Sequence, residues 1–231
     1  MGVNLKRKYK LILIILLCSI FTYLIYFFCK ENKLNIVAIG DGIASGETSY
    51  GIDGISFNDY IKDYYESKNL LKSFNNNYAF KNYKISSLID DLKTNVIDEE
   101  DKLYIKQLLH NANIITISIG EEELMKLAIT NDLNTEYLKK IIEEYDNLIF
   151  MLKDITEAKI VLISFYENEY LNKTNTIILN SELSNIAIKY NTIYININDL
   201  LSSKDYFLDN NKMYFNYKAH KVIAEMIIHS L

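Results

Sequence analysis

"AIGDGIASGETSYG", residues 38–51, closes a short apolar run and opens a turn of small residues. The run itself, LNIVAIG at 34–40, is continuous and β-branched, as expected of a strand buried on both faces. It empties into Gly40-Asp41-Gly42. In open parallel sheets functional groups gather at the carboxyl ends of strands. Here the position that should carry one is Gly42, which has no side chain.

The pattern recurs down the chain. NYAFKNY (77–83) reads as a second strand, NIITISIG (113–120) as a third that again ends in Gly, AKIVLIS (158–164) as a fourth and TIYINI (192–197) as a fifth. Helical spacing fills the intervals at 56–71, 86–96, 99–112, about 134–153 and 175–190, and an amphipathic helix closes the chain at 216–231. Strands alternating with helices imply right-handed parallel crossovers. The expected fold class is therefore α/β, a three-layer α/β/α arrangement with a central parallel sheet of about five strands. Gly40-Asp41-Gly42, Asn82, Gly120-Glu121-Glu122 and the loop before the last helix should then converge at one sheet edge.

Upstream, Lys6, Arg7, Lys8 and Lys10 precede an uncharged stretch from Leu11 to Cys29. Nineteen helical residues span roughly 28 Å, about the hydrocarbon thickness of a bilayer. The expectation is a basic cytoplasmic tail (1–10), one transmembrane signal-anchor helix (11–29), a charged linker (30–34) and an extracytoplasmic domain (35–231). The cations set this orientation. A cleavable signal peptide is the alternative, against which stand the length of the run and the absence of an A-x-A-like exit. Both cysteines, Cys18 and Cys29, lie in or beside this stretch, so the domain beyond it has no disulfide or thiolate chemistry. A net charge of −5, with no basic, aromatic-interleaved patch after the N-terminus, argues against nucleic acid as a partner.

Four segments resemble the blocks of the SGNH, or GDSL, hydrolase family, in the family's order. They are IVAIGDGIASGETSYGIDGISFNDYI, NNYAFKNYKISSLIDDL, IITISIGEEELMKL and NKMYFNYKAHKVIAEMI. The resemblance implies a flavodoxin-like, SGNH-hydrolase-like domain. In that family a Ser attacks an acyl carbonyl, a His takes its proton, an Asp orients the His, and a Gly amide and an Asn help hold the oxyanion. Carried onto this sequence, the Ser falls on Gly42, the Gly on Asn82, the oxyanion Asn on Glu122, the Asp on Asn211 and the His on Tyr214. Gly42 has no nucleophile, and Glu122 puts negative charge where an oxyanion needs a donor. Loss of a triad nucleophile alone costs on the order of a million-fold.

No replacement stands out among the remaining residues. Gly40, Asp41, Ser45, Gly120, Asn216 and His220 are expected to line the cleft. Ser45 reads as a turn or helix-start residue more readily than as a relocated nucleophile. Asp41 reads as a helix cap, or else groups with Glu47, Glu121, Glu122 and Glu123 as an acidic cluster; no spacing matches a known metal loop, so neither metal nor cofactor is expected. His220 sits beyond the family's catalytic position and reads as structural or solvent-facing, with a role in lining the cleft as the sharper reading.

The leading expectation is a membrane-anchored, catalytically degenerate SGNH-like module that binds a cell-envelope glycan or a protein partner. An active esterase or deacetylase with non-standard residues, acting on acylated carbohydrate or lipid, is the first alternative. A structural subunit of an envelope complex is the second.

Overall fold

The computed structural model describes residues 9, 15–22, 33–98, 100, 102–130, 135–167, 173–198, 201, 203–210 and 212–231. The chain divides into two compact units, Met1–Lys33 and Leu34–Leu231. In the first, residues 15–22 are helical and exposed. Most of the expected span at 11–29 lies outside the described residues. Among the described residues no helix is long and apolar enough to cross a membrane.

The second unit is built on five strands: β1 (Leu34–Gly40), β2 (Leu71–Ala79), β3 (Ile114–Ser118), β4 (Lys159–Ile163) and β5 (Ile193–Ile195). All neighbouring pairs are parallel, in the order β2-β1-β3-β4-β5. This is a flavodoxin-like, doubly wound order, with its switch point between β1 and β3. The helices are α1 (Gly42–Ser45), α2 (Phe57–Ser67), α3 (Ile85–Thr94), α4 (Ile105–His110), α5 (Glu121–Thr130), α6 (Thr135–Ile155), α7 (Lys173–Tyr190) and α8 (Tyr217–Ser230), with a 3₁₀ turn at Lys204–Tyr206.

Alternate side chains of the central strands feed two cores, which is why these strands read as unbroken apolar runs. Val37 and Ile39, with Ile115 and Ile117, pack against α3, α4, α6 and α7. Ile36 and Ala38, with Ile114, Val161 and Ile163, pack against α2 and α8. Ile36, Ile39, Ile115 and Ile117 are all essentially inaccessible; full burial of such a side chain is worth roughly 1.5–3 kcal/mol.

A short polar chain crosses the second core. Thr116 on β3 donates to Asn58 Oδ1 at 2.6 Å, and the Asn58 amide donates to the Ala44 carbonyl at 3.0 Å. With all three residues buried, these bonds fix α1 and α2 against the sheet.

Several boundaries differ from the sequence reading. The second strand runs 71–79, not 77–83, because LKSFNNNYA pairs with β1 through two register shifts despite its polar residues. The helix expected at 99–112 shrinks to Ile105–His110, after Ile97 and Tyr104 form an isolated bridge. α5 was not foreseen, since three glutamates open it and mask its apolar periodicity.

Candidate functional site

The carboxyl ends of β1 and β3 meet at Gly40 and Ser118, which are register partners. Gly40 has φ +151°, and a Cβ there would lie 1.8 Å from the Ser118 carbonyl oxygen. Only glycine permits so close an approach. The chain then turns at Asp41, whose N–H donates to that same Ser118 carbonyl at 2.9 Å.

Asp41 is 2% exposed and holds two turns together. Its Oδ1 accepts the Ile43 N–H at 3.3 Å, capping α1, and its Oδ2 accepts the Glu121 N–H at 2.9 Å, at the start of α5. The cap reading of Asp41 therefore describes one of its two bonds. The other is a long-range tie that local sequence does not announce. Burial pushes its carboxyl up to about 7, against the pull of its backbone donors.

Gly42 follows. An added Cβ would stand 2.5 Å from Glu47 Oε2 and 3.1 Å from Glu121 Oε2. The place of a side chain at this position is thus taken by two carboxylates. Gly42, Ile43, Glu47, Glu121, Met213, Tyr214, Phe215 and His220 line a small cleft around it. Glu121 is shared with a neighbouring recess, lined by Asp41 as well, that reaches Ser164 and Tyr166 at the end of β4. Burial raises Glu121 to about 8, and the charges of Asp41, Glu47 and Glu122 add to the effect. The nearby cation is Lys81, half-exposed, which pairs with Glu47.

The acidic group proposed from sequence is thereby divided. Asp41, Glu47 and Glu121 come together. Glu123 instead faces the first core, where its Oε1 accepts the Ile85 N–H at 3.2 Å at the start of α3. Among the described residues no group of three or more His, Cys, Asp or Glu is arranged to hold a metal ion. The third block delivers Glu121 to the cleft lining, whereas Glu122 is not among the lining residues.

Asn82 has φ +60° in an exposed turn after β2. That left-handed conformation is one asparagine tolerates better than most residues, so the turn geometry that glycine favours persists here. Ser45 donates to Asp53 Oδ1 at 2.9 Å and to the Gly42 carbonyl at 3.2 Å. Its hydroxyl is a turn brace, and no histidine bonds to it among the described residues.

In the last block Tyr214 lines the cleft, and Asn211 lies outside the described residues. The turn is braced by Asp209, whose Oδ1 accepts the Met213 and Tyr214 N–H groups at 2.9 and 3.3 Å. Asn216 caps α8, accepting from Lys218 and Ala219, and donates back to the Asp205 carbonyl at 2.7 Å. His220 is 2% exposed. Its Nδ1 accepts the Phe57 N–H at 3.2 Å, capping α2 from across the second core. The ring stacks on Phe57 and meets Phe215 edge-on. Burial lowers it to about 4, so it stays neutral at ordinary pH with its proton on Nε2.

Sequence reasoning did not single out Lys81, and it gave Glu47 and Glu121 no more weight than Glu122 and Glu123. A signal existed: Glu47 follows the first turn and Lys81 follows the second strand, and both are at the expected sheet edge.

No protein-family model matches the sequence, and no curated protein matches it significantly. The fold has close counterparts among solved structures. An acetylxylan esterase from Geobacillus stearothermophilus superposes with a TM-score of 0.64 at 16% identity, covering 87% of this chain and 95% of that one. A lipase/acylhydrolase from Enterococcus faecalis gives 0.63 at 13% identity, covering 85% and 94%. The psychrotrophic esterase EstA from Pseudoalteromonas gives 0.59 at 16%, covering 86% and 96%. Two further structures of the acetylxylan esterase are catalytic mutants in which a serine or a histidine is replaced by alanine. This chain, from its first strand to its last helix, has the fold of the SGNH/GDSL esterases.

Proposed function

We propose that the domain is a catalytically vacated SGNH-fold module that acts by binding, held at the outer face of a membrane by its N-terminal segment. The observation that carries the reading is the content of the cleft around Gly42. Gly42 supplies no hydroxyl, and Glu47 and Glu121 crowd the space that a Cβ there would need. The histidine lining the cleft has its Nδ1 committed to the Phe57 N–H and its basicity suppressed by burial. A base that must accept a proton from a hydroxyl cannot work from that position. Tyr214 occupies the matched position of the family's histidine, and a phenol is too weak a base to replace it.

The Asp41 tie between the two turns supports a shaped recess rather than a collapsed one. A neutral or cationic glycan, or a protein segment, suits an acidic cleft of this kind better than an anion.

The test is turnover of an activated acetyl ester by the full-length protein, with fluorophosphonate labelling in parallel. The expected result is hydrolysis at the buffer rate and no labelled residue. Turnover that co-purifies with the protein and disappears in Ser45→Ala would overturn the reading in favour of an esterase.

A further inference from the structure

We propose that the Glu121 side chain is a proton-controlled plug between two recesses at the carboxyl edge of the sheet. Protonated, it keeps them apart; ionised, it turns outward and joins them into one slot. The inference goes beyond the non-catalytic reading and does not depend on it, because it concerns how the site is closed.

The two recesses share a wall. One surrounds Gly42 and is lined by Glu47, Met213, Tyr214 and His220. The other lies against the ends of β3 and β4 and is lined by Ser118, Leu124, Met125, Ser164 and Phe165. Each has room for about one water molecule. Ile43 and Glu121 are the residues common to both linings.

The Glu121 backbone is fixed on both sides. Its N–H is held by Asp41 at 2.9 Å. Gly120 before it, at φ +117°, lies so close to the Phe165 ring that an added Cβ would stand 2.8 Å from it. The Leu124 N–H donates to the Gly120 carbonyl at 3.0 Å and starts α5. The side chain has no such hold. Among the described residues its carboxyl takes part in no hydrogen bond, and Oε2 rests 3.1 Å from where a Cβ on Gly42 would stand. A side chain pinned at its Cα and loose at its tip moves by rotamer change alone. The missing side chain at Gly42 leaves the room that this tip fills.

Charge gives the movement its direction. Asp41 faces Glu121 from the turn after β1, Glu47 from the loop after α1, Lys81 from the turn after β2 and Glu122 from its own helix. Tyr214 and His220 stand across the cleft, the histidine neutral. Burial first, then the charges of Asp41, Glu47 and Glu122, favours the neutral acid and raises it to about 8 against the pull of Lys81. Once ionised, the carboxylate is trapped among like charges. Outside it meets water and Lys81, half-exposed on the rim. Asp41 stays in place, because its oxygens hold two backbone N–H groups.

Each recess carries a native reporter, Met125 in one and Met213 in the other, with Met151 on α6 and Met226 on α8 as controls. The experiment labels the methionine methyls of the full-length protein with ¹³C and follows them by NMR, with a neutral gadolinium chelate in solution. Between about pH 6 and about pH 9 the ionised fraction of a group at about 8 climbs from roughly 1% to roughly 90%. The Met125 and Met213 signals should titrate together with a midpoint at about 8. Their relaxation by the chelate should rise about threefold or more as the closed population gives way to the open one. Glu121→Gln should hold both signals at their acid positions, and Glu121→Ala should give the open values throughout. Lys81→Met should move the midpoint upward. A Met125 signal that ignores pH overturns the proposal, as does an equal response from Met151 and Met226. The same titration in Glu121→Gln would assign the movement to Asp41 and overturn it too. None of these outcomes touches the non-catalytic reading, which ester turnover decides separately.

Discussion

The Asp41 carboxylate accepts the backbone N–H of Glu121 at 2.9 Å across eighty positions of sequence. Through this bond the turn after β1 fixes the first residue of α5, and with it the Glu121 side chain beside Gly42. One buried carboxyl thus orients a second, and both are raised by burial. Most of what the cleft can do follows from that pairing.

The pairing has a pH signature. Asp41 and Glu121 move from ordinary values of 3.8 and 4.5 to about 7 and about 8 in the fold. The folded state therefore keeps protons that the unfolded chain gives up, so their contribution is complete below the ordinary values and is lost as pH rises through the folded ones. His220 runs the other way: lowered from 6.5 to about 4, it contributes stability that is lost as pH falls through that interval. Between pH 6.5 and 8 the two carboxyls act almost without it. Stability should fall across this window by on the order of 1 kcal/mol per pH unit. Glu121→Gln should flatten the fall by about half, as read by thermal denaturation at four pH values.

Restoring a serine at Gly42 should not restore an esterase. The new Cβ meets Glu47 Oε2, so the glutamate must swing away from its present position. Gly42→Ser is expected to fold with a loss of about 1 kcal/mol and to leave ester turnover at background. Adding Glu47→Ala should recover the stability and still give no turnover, because His220 remains committed to Phe57. Urea denaturation and an acetyl-ester assay read the two expectations.

His220 should behave as a structural residue when it is replaced. His220→Phe keeps an aromatic ring between Phe57 and Phe215 but leaves the buried Phe57 N–H without an acceptor, at a cost of about 1–3 kcal/mol. His220→Gln, which can accept that bond, should lose less. The order of the two urea midpoints, Gln above Phe, is the measurement. The reverse order would assign the residue's contribution to ring packing.

Asn82 should tolerate glycine and resist a branched side chain. At φ +60°, Asn82→Gly should change stability by only a few tenths of a kcal/mol, whereas Asn82→Val should cost about 1–2 kcal/mol. Chemical denaturation of the two variants distinguishes backbone demand from side-chain contacts at this turn.

The layers were legible in the residue pattern. Continuous β-branched runs, helical spacing between them and glycines at strand ends were enough for a doubly wound parallel sheet and for the edge where the blocks converge, because these patterns arise from local geometry and two-faced burial. Even there it missed α5, whose acidic first turn hides its apolar spacing, and it placed β2 six residues late, since pairing with β1 overrides the weak propensity of Asn-rich LKSFNNNYA. It also exposed the emptiness of Gly42 and the acidity of the third block. Which groups face the cleft is set by contacts made across the fold. Glu121 enters while Glu123 turns to cap α3, His220 gives its Nδ1 to Phe57, and Lys81 reaches Glu47. Each choice is made by a partner tens of residues away, with backbone donors and buried charges seeking compensation. Local periodicity holds no record of such long-range satisfaction.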